Sequence, residues 1–160
     1  MLFPDLDEDA VYLSRSDESE ILGTHANYPF TLDAKEWTSV EHYFQAMKFD
    51  TTAPEHAEKI RLASDARKAR KLGATRFKKL REDWKKVRRV VMTRAVYTKA
   101  KAYPQVAQAL LETAQRKLVE NSQYDYFWGC GRDRRGENTY GKVLMDVREK
   151  LRKEQAVDAK

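Results

Sequence analysis

The sequence predicts a mainly helical α+β domain carrying one small antiparallel β element, and three observations predict it. Apolar residues recur at helical spacing through much of the chain, most clearly from Trp84 to about Ala100 and again over Val143, Leu144, Val147 and Leu151. A single hairpin pattern stands between Tyr28 and Trp37. No repeat, low-complexity tract or Gly/Ser/Pro-rich linker divides the 160 residues, so they read as one domain with one core, spanning about 11–152 with loose termini.

Taken in order, Val11-Tyr-Leu13 reads as a short strand after the N-terminal stretch. Tyr28-Pro-Phe-Thr-Leu32, then Asp33-Ala-Lys35 and Glu36-Trp37, form the hairpin, with Ala34 a weaker turn residue than glycine. A helix opens near Thr38 or Ser39. Pro54 suits the first turn of a second helix, and Ser64 or Asp65 caps a third that Gly73 ends. In the long helix from Trp84, the residues Val87, Val91, Ala95 and Thr98 continue one stripe, while Lys85, Lys86, Arg88 and Arg89 fall largely elsewhere. Pro104 restarts a helix through Leu111. Lys117–Glu120 and Tyr126–Trp128 read as short strands, and a glycine-bearing loop from Gly129 to Gly141 leads into the last helix.

Composition narrows the partners. Hydrophobic residues make up 41% and charged residues 35%, and no apolar run approaches the roughly 20 residues of a membrane span, so no membrane partner is expected. The acidic start is the opposite of a secretory leader's basic one. Cys130 is the only cysteine, which rules out an internal disulfide and suits a reducing compartment. The expected location is therefore the cytoplasm, or the nucleus in a eukaryote. Three scattered histidines and one thiol show no metal-ligand spacing, and neither metal nor cofactor is expected.

The charge is unevenly placed. Between Lys59 and Lys101 lie 17 basic residues and three acidic ones (Asp65, Glu82, Asp83), against 14 and 22 in the remainder. Such a region either forms the solvated face of long helices or attracts phosphate.

On the helix that begins at Thr38, Glu41, Gln45 and Lys48 stand at i, i+4 and i+7 and make one polar stripe. Val40, Tyr43, Phe44 and Met47 occupy neighbouring faces as core. A carboxylate can orient or deprotonate water, an amide can hold sugar hydroxyls, and an ammonium can neutralise phosphate or attack a carbonyl carbon. Spacing alone favours a plainer role: Thr38-x-x-Glu41 has the form of a capping box, and an acidic first turn complements the helix dipole.

Longer motifs bear on that choice. Trp37-Thr-Ser-Val-Glu-His-Tyr-Phe-Gln-Ala-Met-Lys-Phe49 is followed by Lys78-Lys-Leu-Arg-Glu-Asp-Trp84 running on to Val91-Met92, then Leu118-Val-Glu120, Phe127-Trp-Gly-Cys-Gly131, Gly136-x-Asn138-x-x-Gly141 and Leu144-Met145-x-x-Arg148. In this order they resemble the signature of the YbiA-like (NADAR) family, from about Val11 to Arg152. Several long motifs in fixed order are far more specific than any lone glycine pattern.

The resemblance implies an N-glycosidase acting at ribose C1′. It implies catalytic roles for Glu41 and Lys48, pocket roles for Trp84 and Trp128, and a ligand-closing loop at Asn138 and Gly141; Gln45 on the polar stripe and Gly129, which leaves room for close backbone approach beside Trp128, are further candidate ligand contacts. Trp84, on an apolar stripe, is also read as core. Arg76, Lys78 and Arg81 are the candidate phosphate contacts. Where the family has Ser-Asn-Phe, this chain reads Gly23-Thr24-His25, so Thr24, His25 or Asn27 takes the asparagine's place at the ligand. Cys130 replaces a family aspartate and, with no paired base, is read as a bystander. Glu41 would stabilise positive charge on the ribose or activate water; alternatively Lys48 would form a Schiff base at C1′. Two substrates follow: ADP-ribosylated guanine in nucleic acid, which the basic region favours, or ribosylaminopyrimidine phosphates of riboflavin synthesis. A non-catalytic module for ADP-ribose or nucleic acid is the alternative of a different class. Oligomeric state is not legible.

Overall fold

The computed structural model describes residues 8–159; Met1 to Asp7 and Lys160 lie outside them, and with them most of the acidic start and the expected loose N-terminus. The elements are β1 (Val11–Leu13), β2 (Phe30–Leu32), β3 (Lys35–Trp37), α1 (Val40–Met47), α2 (Pro54–Arg61), α3 (Ala66–Gly73), α4 (Trp84–Ala102), α5 (Pro104–Leu111), β4 (Leu118–Glu120) and α6 (Thr139–Asp158). This is the mixed α+β domain that the sequence predicts, with helices dominant.

β2 and β3 form the antiparallel hairpin, pairing Phe30 with Trp37 and Leu32 with Lys35. Its two turn residues, Asp33 and Ala34, have φ of 53° and 63°, the left-handed pair that matches the twist of a two-residue hairpin. Arg94 of α4 holds Asp33 at 2.8 Å. A second sheet was not expected. β1 pairs in parallel with β4, Val11 against Leu118 and Leu13 against Glu120. Local pattern cannot show it, because the partners lie more than a hundred residues apart.

Helix starts follow their chemistry. Pro54 and Pro104 open α2 and α5 at the position where a missing N–H costs nothing. The Asp65 side chain caps α3 by accepting from Lys68 N–H at 2.8 Å. Two expectations need correcting. The cap of α1 is Ser39, not Thr38, and its Oγ accepts from His42 N–H, so Glu41 does not close a capping box. Tyr126–Trp128 is not a strand: Asp125 Oδ1 accepts from the N–H groups of Phe127 and Trp128 at 3.0 and 2.7 Å and bends the chain there.

α1 is the axis of the molecule, packed by α2, α3 and α4, while α6 lies along α4, α5 and β4. Val40, Tyr43, Phe44 and Ala46 of α1 are buried, as are Val143, Leu144, Val147 and Leu151 of α6. Met47, read as core, is only partly buried. On a central helix buried on nearly every side, any polar group left unpaired carries a cost, because it loses its hydration without replacement.

Candidate active site

Glu41 and Gln45 are both buried on α1, and Gln45 Nε2 donates to Glu41 Oε1 at 2.7 Å. The carboxylate therefore lies along the helix toward Lys48 instead of back toward the cap. Its other oxygen stands 3.8 Å from His25 Nδ1. The backbone N–H of Glu41 donates to Thr24 O at 3.0 Å, so the first turn of α1 is joined to the Gly23–His25 loop.

That loop is itself held from below. Lys99, 3% exposed, donates from Nζ to Ile21 O at 2.7 Å and Gly23 O at 3.0 Å, and Tyr140 Oη donates to Leu22 O at 2.5 Å. Burial pushes the Lys99 ammonium down to about 8. The Thr24 hydroxyl donates to Arg15 O at 3.2 Å, which leaves its oxygen to accept from His25 Nδ1 at 3.0 Å. Burial lowers the His25 pKa, with Glu41 opposing, so the imidazole is neutral at pH 7 with its proton on Nδ1. His42 is also held neutral, mainly by burial: Nε2 faces Ala63 O at 3.0 Å and Nδ1 faces Ser39 Oγ at 2.7 Å. Since a carbonyl only accepts, Nε2 carries that proton.

His25 lies at the edge of a cleft of about 380 Å³, whose walls include Asn27, Ser39, His42 and Asp65. His25 thus touches both the cleft and the carboxylate. Further along the stripe, Lys48 is half-buried at the end of α1, and its Nζ donates to Gly73 O at 3.3 Å. Burial is the main cause that lowers its pKa; Arg70 adds to the effect and Glu41 opposes it. Arg70 lies on α3, one turn before Gly73.

Phe44, between Glu41 and Lys48 on the same face, links the stripe to the aromatics. Its ring lies 5.1 Å from Trp84 and 5.3 Å from Trp128, and Lys48 Nζ stands 5.8 Å from its centre. Both tryptophans are buried, and Trp84 belongs to the core as the apolar stripe suggested. Trp128 meets α1 through Phe44.

Other candidates are drawn into the fold. The Asn138 amide donates to Leu118 O at 2.9 Å and accepts from Glu120 N–H at 2.8 Å, so it fastens the start of α6 to β4. A Cβ at Gly141 would overlap Leu118 O, and one at Gly129 would press on Ser122 and Asp125. These glycines allow backbone to approach backbone. Arg81 forks onto Asp83 at 2.6 Å and reaches Asp50 at 3.2 Å, so its guanidinium is engaged within the protein and is not a free phosphate contact. Arg76 and Lys78 are exposed beside it. Cys130 is buried, with Sγ on Gly131 O at 3.4 Å.

A buried carboxylate, an amide that holds it and an ammonium of lowered pKa thus share one helix. The chain belongs to the NADAR domain family, whose model matches residues 2–152. It is 37% identical over 140 residues to the N-glycosidase YbiA of Escherichia coli K12, covering 88% of this chain and 86% of that one. It is 39% identical over 147 residues to the riboflavin biosynthesis protein VVA0006 of Vibrio vulnificus, covering 90% of this chain and 39% of that longer protein. The solution NMR structure of E. coli YbiA matches the fold with a TM-score of 0.82 at 35% identity, over 94% of this chain and 90% of the other.

Proposed function

We propose that this enzyme, a hydrolase acting on N-glycosyl bonds, cleaves a ribosyl C1′–N bond in a phosphate-bearing substrate, and that the substrate is ADP-ribosylated guanine in nucleic acid. The observation that carries the reading is the Glu41 carboxylate, buried and oriented by Gln45 yet free of any capping duty. Cleaving a C1′–N bond builds positive charge on the ribose. A buried carboxylate stabilises that charge or takes a proton from the attacking water, and low local polarity strengthens both effects. Lys48, seven residues on, supplies positive charge to the phosphate side of the ligand. His25 and Asn27 stand at the cleft, where the departed family asparagine would act.

The lowered pKa of Lys48 supports a second route, in which the opened sugar forms a Schiff base on Nζ. The similarity to a riboflavin biosynthesis protein supports the second substrate, a ribosylaminopyrimidine phosphate. Mass spectrometry of the products tests all of this. The protein is incubated with ADP-ribosyl-guanine DNA and, separately, with ribosylaminopyrimidine phosphate. Release of ADP-ribose from the DNA is the expected result; base release from the pyrimidine alone would move the assignment to riboflavin chemistry, and release from neither would overturn the glycosidase reading.

A further inference from the structure

We propose that the Thr75–Leu80 loop is a docking platform for single-stranded nucleic acid, with Phe77 stacking on a base while Arg76 and Lys78 take the flanking phosphates. This rests on the nucleic-acid reading above. Phe77 is 95% exposed, the most exposed large hydrophobic side chain among the described residues.

Its exposure is not that of a frayed loop. Ala74 N–H donates to Arg70 O at 3.0 Å, and Phe77 N–H donates to Thr75 Oγ1 at 3.1 Å. Thr52 Oγ1 donates to Lys79 O from the other side. The backbone is pinned while the phenyl ring projects into water, which gains no burial in return.

Both ends of the platform are fastened to Lys48. Gly73 O, just before the loop, accepts from Lys48 Nζ at 3.3 Å, and Arg81 N–H, just after it, donates to Lys48 O at 2.9 Å. A strand lying on the loop therefore runs past the Lys48 end of the catalytic stripe.

The chemistry of the flanks selects the occupant. Arg76, Lys78 and Lys79 are exposed around the ring, and α3 adds exposed Arg67, Lys68, Arg70 and Lys71. A lone apolar ring suits many partners. Cation, aromatic and cation in succession suit a chain in which phosphates and bases alternate, with stacking supplying affinity for any base. A duplex already stacks its bases on one another, so an exposed phenyl ring has a face to meet only in a single strand.

The test is fluorescence anisotropy with labelled, unmodified 12-nucleotide oligo(dT) and oligo(rU), and with a DNA duplex of equal length, at low salt. Wild type is expected to bind the single strands more tightly than the duplex. Phe77→Ala should weaken single-strand binding roughly fivefold or more, as loss of one stacked base implies, and Phe77→Trp should keep it. Arg76→Glu with Lys78→Glu should weaken it further and flatten its salt dependence. Release of ADP-ribose from a mononucleotide-sized substrate, ADP-ribosyl-guanosine, should be unchanged in Phe77→Ala. Oligonucleotide binding by wild type that is absent, prefers duplex or ignores Phe77→Ala would overturn the platform, as would Phe77-dependent binding to phosphatidylserine vesicles without binding to oligonucleotides. Because the oligonucleotides are unmodified, this result stands apart from whether the enzyme releases ADP-ribose.

Discussion

Gln45 lies between Glu41 and Gly73: its Nε2 holds the carboxylate at 2.7 Å, while its Oε1, buried and without a hydrogen-bond partner among the described residues, rests where a side chain at position 73 would begin. Gly73→Ala would place a Cβ on that oxygen, so Gln45 must turn and release Glu41. A fall in kcat is expected together with a stability loss of about 1–3 kcal/mol, the usual cost of overpacking. The double variant with Gln45→Ala should recover the stability but not the activity, as thermal melts and turnover measured in parallel would show.

Glu41→Gln tests the carboxylate itself. The amide fills the same space on a buried helix, and only the charge and basicity are removed. Turnover should drop at least about a hundredfold, with the thermal midpoint within a few degrees of wild type. Nucleotide binding that persists while turnover is unaffected would move catalysis elsewhere.

Lys48 decides between the two chemical routes. Sodium borohydride added during turnover reduces a Schiff base to a stable adduct, and peptide mass spectrometry locates it. An adduct on Lys48 that disappears in Lys48→Met supports the covalent route. Turnover without any adduct leaves the water-mediated route at Glu41.

The two buried histidines predict an acid limb. Burial lowers the pKa of both His25 and His42 below the ordinary value, so the unfolded chain binds protons that the folded one refuses. Their contribution is intact above pH 6.5 and is lost as pH falls through and below that value. Wild-type midpoints should therefore decline from pH 7 to pH 5 more steeply than those of the His42→Gln variant.

Ala34 provides a stability check far from the chemistry. A left-handed backbone costs a residue with a Cβ about 1 kcal/mol, and glycine avoids that cost. Ala34→Gly should raise the thermal midpoint by a few degrees without altering turnover.

What was legible in the sequence depended on how far apart the interacting residues lie. The hairpin, the proline-started helices and the stripe of α6 are written in residues within ten positions of one another, and each stands where it was read. Glu41 and Gln45 are one turn apart, so their shared face was visible too. The cap moved by one residue because Thr38 and Ser39 are chemically alike, and only the geometry at His42 separates them. The packing of Asn138 and Gly141 against β4, some twenty residues away, was hidden because the glycine loop separates them in sequence. Arg81 looked available because Asp50, which it also reaches, lies 31 residues earlier. Lys99, read as one cation among many, proved buried beneath the loop that carries Thr24 and His25, a relation across more than seventy positions.

The distance between β1 and β4 also sets when this arrangement can form. The loop that brings Thr24 and His25 to Glu41 is made early in synthesis, yet its supports come later: Lys99 and Tyr140, and Glu120, which accepts from Arg15 N–H while Arg15 O accepts from Thr24 N–H. A nascent chain that has finished α1 already carries the carboxylate but lacks the groups that brace the loop beside it. Whatever chemistry Glu41 and this loop perform together thus waits on the synthesis of α6, as a consequence of topology.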